Sequence, residues 1–169
     1  TADATEVESV LDVAHGVDGP VYIRMVRGEV PRLFPADEPM QLDTMRMLSD
    51  GDDIVIVTAG IGTEEAMRAA APLATAGVGV RHLHVSTHKP LADPLLLASI
   101  ERSRYGVVTL ENHTIIGGLG SAVAETMAEA GLGKKLLRLG LKDTYAHGAS
   151  RPYLMKEYGL DAGALVRGV

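Results

Sequence analysis

The segment "TLENHTIIGGLGSAVAE", residues 109–125, contains the first residues whose types and spacing suit catalysis. Glu111 and His113 follow an apolar run, at the carboxyl end of a predicted strand, where open α/β sheets bind their ligands. A carboxylate next to an imidazole is suited to acid–base catalysis. Residues two apart share a face only while a strand continues, and Asn112 indicates that the strand ends. We therefore do not interpret the two as a self-sufficient catalytic pair, and we predict no catalytic residue.

The same segment contains Gly117, Gly118 and Gly120. Glycines at a strand-to-helix turn expose backbone N–H groups that bind an anion. Their spacing does not match the dinucleotide-binding pattern or the phosphate loop with its lysine. Small residues on the following helix, Ala122, Ala124, Ala128 and Ala130, favour close packing instead. We interpret Glu111, His113, Gly117 and Gly118 as a candidate site or interface at a packing corner.

His82 and His84 alternate onto one face of a predicted strand, and His88 follows it. Three histidines in seven residues suggest zinc, but no fourth ligand has a recognisable spacing. A strand buried on both faces would also hide the pair, so we predict no metal site. The segment "TAGIG", residues 58–62, is another glycine turn, with Thr63 as a candidate helix N-cap. It lacks the third glycine of a nucleotide loop, which favours an ordinary turn.

Arg24 and Arg27 lie on "VYIRMVRG", residues 21–28, which alternates like a strand. Arg27 falls at the carboxyl end of that strand, where its guanidinium suits bidentate binding of a phosphate. A salt bridge to Asp or Glu is the alternative. Arg24 lies inside the strand and would need a carboxylate or a ligand if it were buried.

The composition is that of an ordinary globular protein, with 46% hydrophobic and 22% charged residues among 169. A net charge of −6 argues against nucleic acid or an anionic membrane as the partner. With no cysteine, the chain has no disulfide, thiolate metal site or cysteine nucleophile. Because the chain begins with Thr1 instead of Met, we expect that it comes from a longer one.

Strands and helices alternate along most of the chain, which predicts an α/β fold with three layers and a mostly parallel five-stranded sheet. Pro72 lies inside one helical pattern and is expected to kink or split that helix. Residues 1–36, with one helix, one strand and a proline-rich linker, are predicted to end a preceding domain. Residues 37–169 are predicted to form the complete domain. The predicted strands span 21–28, about 44–48, 53–60, 78–88, 105–112 and 134–141, and the predicted helices 4–15, 62–77, 93–104, 120–131, about 151–158 and about 161–168.

Five segments occur in the order found in transketolase-like thiamine diphosphate enzymes: "DGPVYIRMVRGEVP", "DIVIVTAGIGTEEAMRAA", "STHKPLADPLLL", "TLENHTIIGGLGSAVAE" and "DTYAHGASRPYLMKEYGL". The chain resembles the C-terminal part of a transketolase, or the C-terminal subunit of a split transketolase. The resemblance covers the end of the pyrimidine-binding domain and the whole C-terminal domain.

This resemblance implies transfer of a two-carbon ketol unit between sugar phosphates, with the cofactor supplying the difficult chemistry. It also implies that thiamine diphosphate and Mg²⁺ are held by an N-terminal domain or subunit, the expected partner. The activating glutamate lies earlier in the pyrimidine-binding domain. The chain alone is therefore expected to bind no cofactor and to be inactive. Arg27 matches the position of an arginine that contacts the substrate. A cytoplasmic dimer of the pentose phosphate pathway is also implied.

Two alternatives within the superfamily are the matching region of 1-deoxyxylulose-5-phosphate synthase and that of the β chain of a 2-oxoacid dehydrogenase first component. An alternative of another class is a flavodoxin-like module that binds a nucleotide or a flavin. Its fingerprint would be a phosphate loop after the first strand, a pattern that "TAGIG" meets only faintly.

Overall fold

A computed structural model of the protein describes residues 1–26 and 28–169. Its strands are β1 (Arg46–Ser49), β2 (Ile54–Thr58), β3 (Val80–His84), β4 (Gly106–Thr114) and β5 (Leu136–Leu141). Its helices are α1 (Ala4–His15), α2 (Gly62–Thr75), α3 (Pro94–Arg102), α4 (Leu119–Glu129), α5 (Arg151–Glu157) and α6 (Ala162–Gly168). No helix in the described part of the chain is both long enough and apolar enough to cross a membrane.

The five strands form one sheet in the order β1-β3-β2-β4-β5. β2 pairs in parallel with both β3 and β4, and β4 with β5, whereas β1 runs antiparallel to β3 at one edge. The predicted α/β fold with a mostly parallel five-stranded sheet is therefore confirmed. Because the chain leaves β2 first towards β3 and later returns to its other side at β4, the strand order reverses beside β2. Ligands of open α/β sheets bind at such a reversal, beyond the carboxyl ends of the strands.

Apolar side chains of the central strands alternate between two cores, one on each face of the sheet. Val55, Val57 and Leu83 pack with residues of α3 and α4 on one face. Ile54, Ile56, Val108 and Leu110 pack with residues of α2, α5 and α6 on the other. All five residues of β2 are buried, as expected of a strand covered on both faces.

Two helices begin where the sequence predicts. Asp93 caps α3 by accepting a hydrogen bond from the Leu95 amide, and Pro94 lies in its first turn. α1 covers the predicted residues 4–15, and the Asp3 side chain caps it by accepting from the Glu6 amide.

Three predictions about the elements are wrong. Of the strand predicted over 21–28, the described residues 21–26 and 28 form no strand, because no strand of the described chain pairs with them. β4 does not end at Asn112 but continues to Thr114, since β5 pairs alongside it as far as Leu141. α2 runs without a break from Gly62 to Thr75, so the split expected at Pro72 is wrong, while the alternative of a kink stays a prediction. Pro72 lies in the last turn, where it removes a single backbone hydrogen bond.

Candidate functional site

A continuous chain of buried polar side chains runs from the sheet to α1. His82 Nε2 lies 2.8 Å from Thr58 Oγ1, which lies 2.9 Å from Thr63 Oγ1. Thr63 Oγ1 lies 2.8 Å from His84 Nδ1, and His84 Nε2 lies 2.8 Å from Glu6 Oε1. All five residues are buried. Both histidines are therefore used inside the protein, and their contacts are with two threonines and one glutamate.

Glu6 is the residue that joins this chain to the N-terminal segment. Its side chain is fully buried, and its Oε2 accepts a hydrogen bond of 2.7 Å from the Ala2 amide. The neighbouring Asp3 carboxylate accepts from the amides of Leu33 and Phe34, both at 2.9 Å. α1 and residues 33–34 are thus tied to one another and to the sheet by buried carboxylates.

The surroundings shift the pKa values of two of these side chains, His82 and Glu6. Burial, with a smaller contribution from the nearby His84, lowers the pKa of His82 to about 3. Burial alone would raise the pKa of Glu6, but the hydrogen bonds from His84 and the Ala2 amide outweigh it, and the pKa lies below its ordinary value. At neutral pH His82 is therefore uncharged and Glu6 is a carboxylate.

Glu111 occupies the N-terminus of α4. Its Oε2 accepts from the Leu119 amide at 2.7 Å and its Oε1 from the Gly120 amide at 2.9 Å. A Cβ at Gly118 would overlap this carboxylate and lie 2.6 Å from the Thr114 carbonyl oxygen, whereas Gly117 has a positive φ of 70°. The amides that would bind a phosphate are therefore occupied by a carboxylate of the protein itself.

His113 is used separately from Glu111, although β4 continues through both. The imidazole is exposed, and its Nδ1 lies 3.0 Å from the carbonyl oxygen of Thr114. Because a carbonyl oxygen only accepts, Nδ1 carries the hydrogen and Nε2 is the ring atom available to a ligand. The roles proposed for these corner residues in an interface stay predictions.

An open cleft with a volume of about 1200 Å³ lies beyond the carboxyl ends of β2, β3 and β4. α1 and residues 20–26 form one wall, and α4 forms another. Gly60, after β2, lies at its floor beside Asn112 of β4, and a Cβ at Gly60 would lie 2.6 Å from Asn112 Oδ1. The cleft therefore coincides with the reversal of strand order beside β2.

Basic side chains line one part of this cleft, which we call its basic floor: Arg24, His88, Lys89 and His113. Acidic side chains line the cleft as well: Asp43, Glu111, Glu125 and Glu129. Arg24 is exposed, not buried in a strand, and its Nη2 donates a hydrogen bond of 3.1 Å to the carbonyl oxygen of Asn112. The predicted substrate contact Arg27 lies outside the described residues. The guanidinium of Arg24 is suited to bind an anionic group here without a helix N-terminus or a glycine loop.

The polar chain was only partly predictable from the sequence. The alternation of His82 and His84 correctly places them on one face, but nothing in the sequence signals that Glu6, 78 residues from His84, completes the chain. The prediction of Thr63 as an N-cap is wrong. Ile61 is the cap residue of α2, and the Thr63 hydroxyl is turned to the histidines.

The transketolase C-terminal domain family matches residues 43–165. The chain therefore belongs to the transketolase C-terminal domain family. A solved structure described as a split gene transketolase, inactive β4 tetramer, superposes with a TM-score of 0.90 at 36% identity. The superposition includes 98% of this chain and 54% of the chain in that structure.

Two kinds of relative are similar over almost the whole chain. The 6-deoxy-6-sulfo-D-fructose transketolase subunit of a Clostridium species is 35% identical over 98% of this chain and 51% of its own length. The 1-deoxy-D-xylulose-5-phosphate synthase of Chlorobium phaeovibrioides is 38% identical over 97% of this chain but only 26% of its own length. The chain spans about half the length of the transketolase relatives that it matches.

The contact between Glu111 and α4 predicts that one methyl group added at Gly118 strongly lowers the stability of the fold. Gly118→Ala should lower the free energy of unfolding by about 2 kcal/mol or more, because the new Cβ displaces the capping carboxylate. Gly133→Ala is the matched control, since a Cβ there meets nothing within 4 Å, and we expect a change within about 0.5 kcal/mol. Urea denaturation measures both. Equal stability of the two variants would contradict the capping role of Glu111.

The low pKa of His82 predicts a loss of stability in acid. Above about pH 6.5 the ring is neutral in both states, whereas between pH 6.5 and 3 only the unfolded chain binds the proton. The free energy of unfolding should therefore fall by up to about 1.4 kcal/mol per pH unit as the pH decreases from 6.5 to 5.

His82→Gln should reduce this slope, while His15→Gln, at an exposed position of α1, should keep it. Denaturation curves at several pH values measure the slope. The assignment to His82 fails if the His82→Gln variant retains the wild-type dependence.

Proposed function

We propose that this chain is the C-terminal portion of a thiamine-diphosphate-dependent transketolase, which transfers a two-carbon ketol unit between sugar phosphates. The observation that carries the proposal is the match of 98% of the chain to a split transketolase, with a TM-score of 0.90. In this proposal the chain supplies a wall of the active-site cleft and the contacts for assembly. It acts in the cytoplasm, in the pentose phosphate pathway.

The residues of this chain do not fit the diphosphate and Mg²⁺ of the cofactor. Mg²⁺ prefers carboxylate and phosphate oxygens, and among residues 1–26 and 28–169 no three His, Asp or Glu side chains are grouped to hold a metal ion. The glycine turn that precedes α4 already contains the Glu111 carboxylate. We therefore assign cofactor binding to the partner and derive no catalytic step within this chain.

The proposed partner is an N-terminal transketolase domain or subunit. The chain spans about half the length of its transketolase relatives, so a large part of such a protein is contributed from elsewhere. An apolar surface on α1 and the segment after it fits this contact, because large side chains there are exposed to water. These side chains are Leu11 (66% exposed), Val17 (39%), Val21 (45%), Tyr22 (88%) and Met25 (54%). Association of the assembled enzyme into a dimer is part of the proposal.

The substrate would enter the cleft with its phosphate towards the basic floor. Arg24 and His113 line this floor at the end of β4, and the guanidinium of Arg24 suits a phosphate. Arg27, which the family resemblance relates to substrate binding, follows on the same segment. This arrangement supports recognition of an anionic sugar derivative.

A second candidate is the corresponding portion of 1-deoxyxylulose-5-phosphate synthase. The 38% identity to such a synthase over 97% of this chain supports it. The two candidates share the cofactor, and substrate tests on the assembled enzyme distinguish them.

Titration calorimetry with thiamine diphosphate and Mg²⁺ tests the proposal. We expect no binding by the chain alone, and both binding and ketol transfer once the partner polypeptide is added. Tight binding by the isolated chain, or a mixed complex that binds the cofactor but transfers no ketol unit, would overturn it.

The basic floor of the cleft also gives a prediction about substrate binding. In the assembled enzyme, Arg24→Ala should raise KM for the phosphorylated substrate by about 10-fold or more, because a charge-assisted hydrogen bond is worth about 1.5–3 kcal/mol. Lys156→Ala, exposed on α5, is the matched control and should leave KM unchanged. An unchanged KM in the Arg24→Ala variant would contradict a contact between Arg24 and the substrate.

A further inference from the structure

The hydrogen positions in the buried series of side chains from His82 to Glu6 follow from the number of donors and acceptors that each group has. A carboxylate only accepts, so His84 Nε2 carries the hydrogen that it donates to Glu6 Oε1. In a neutral ring Nδ1 then accepts, and the Thr63 hydroxyl donates to it. A hydroxyl has a single hydrogen, so Thr63 must accept from Thr58, and Thr58 must accept from His82 Nε2. Every hydrogen bond therefore points towards Glu6.

The same heavy atoms also accommodate one additional proton. A proton from water that binds His82 Nδ1 allows the Nε2 hydrogen to pass to the Thr58 oxygen, and the Thr58 hydrogen to pass to Thr63. The Thr63 hydrogen then passes to His84 Nδ1. Each N–H or O–H bond that breaks is replaced by one that forms on the next atom. At the end His82 is neutral with its hydrogen on Nδ1, and His84 is an imidazolium next to the Glu6 carboxylate.

The positive charge is stabilised at only one end of the chain. Glu6 provides a fully buried carboxylate 2.8 Å from His84, whereas burial strongly disfavours a charge on His82. A proton taken up anywhere along the chain is therefore held at His84, as part of a buried ion pair. Without Glu6, a charge at this depth would have no compensating partner.

We propose that the side chains of His82, Thr58, Thr63, His84 and Glu6 form a buried proton relay. Its three hydrogen bonds between His82 and His84 reverse together when the protein takes up one proton, whereas His84 continues to donate to Glu6. Uptake converts the contact between His84 and α1 from a hydrogen bond into an ion pair. The relay is thus a pH-sensitive attachment of α1, the helix that forms a wall of the cleft. This inference does not depend on the proposed function.

The charged groups around the relay come from several elements. Glu6 faces it from α1, and the ammonium of Thr1 is close enough to lower the pKa of Glu6. Arg46 of β1 lies behind Phe34, whose ring centroid is 5.2 Å from that of His84. His88, on the segment after β3, and Arg24 are the nearby basic groups on the cleft side. Only Glu6 is hydrogen-bonded to the relay as an anion, which is why we assign the charge to His84.

Nitrogen NMR of the His82 and His84 rings tests the relay. The ¹⁵N chemical shifts distinguish the two neutral tautomers of a histidine ring from the imidazolium. At neutral pH we expect both rings to carry hydrogen on Nε2. On acidification His84 should become an imidazolium, and His82 should move its hydrogen from Nε2 to Nδ1 with the same midpoint while staying neutral. Retention of the Nε2 hydrogen on His82 after His84 has become charged would overturn the proposal, as would a His84 that stays neutral until the protein unfolds.

Variants of the middle residues provide the matched test. Thr63→Val removes the hydroxyl at similar volume, so protonation of His84 should no longer change His82, whereas Thr63→Ser should retain the coupling. Amide spectra report whether each variant is folded. If Thr63→Val does not fold, Thr58→Val interrupts the relay at the next link. A folded valine variant in which His82 still changes with His84 would contradict the relay.

Discussion

The structure depends on the burial of one carboxylate, that of Glu6. An unpaired charge at this depth would destabilise the fold by several kcal/mol, so the residues around it must provide hydrogen-bond donors. His84 and the Ala2 amide provide them at 2.8 and 2.7 Å. Because His84 lies at the carboxyl end of a central strand, this pairing places α1 at the edge of the sheet where ligands bind, and the cleft follows from that placement.

A second buried carboxylate acts in the same way at the other side of the cleft. Glu111 fixes the start of α4, and the close approach of Gly118 is a consequence. Two helices that border the cleft are thus held by internal carboxylates, and neither helix N-terminus is offered to a ligand. The cleft therefore relies on side-chain cations, such as Arg24 and Lys89, to attract an anion. This division agrees with a chain that contributes part of a site and leaves cofactor binding to its partner.

Local patterns predicted the framework well and the connections between distant residues poorly. The apolar runs of β2 and β4 and the Asp93 cap are local signals, and they led to the correct fold. Residues 21–28 have the alternation of a strand, but a strand also needs a neighbour, which the described chain does not provide. The pairing of Glu6 with His84 spans 78 residues. No spacing rule predicts such a contact, because it arises only when both helix and sheet have formed.

The anchoring of α1 by Glu6 is tested most directly by amide hydrogen exchange in wild type, Glu6→Ala and the control Glu8→Ala, an exposed position on the same helix. In wild type, the α1 amides should be protected as part of the folded domain. Glu6→Ala should increase their exchange by about 10²-fold or more, since it removes two buried hydrogen bonds to a charged group, each worth about 1.5–3 kcal/mol, and Glu8→Ala should leave it nearly unchanged. Exchange in α1 that is the same in Glu6→Ala as in wild type would contradict the account.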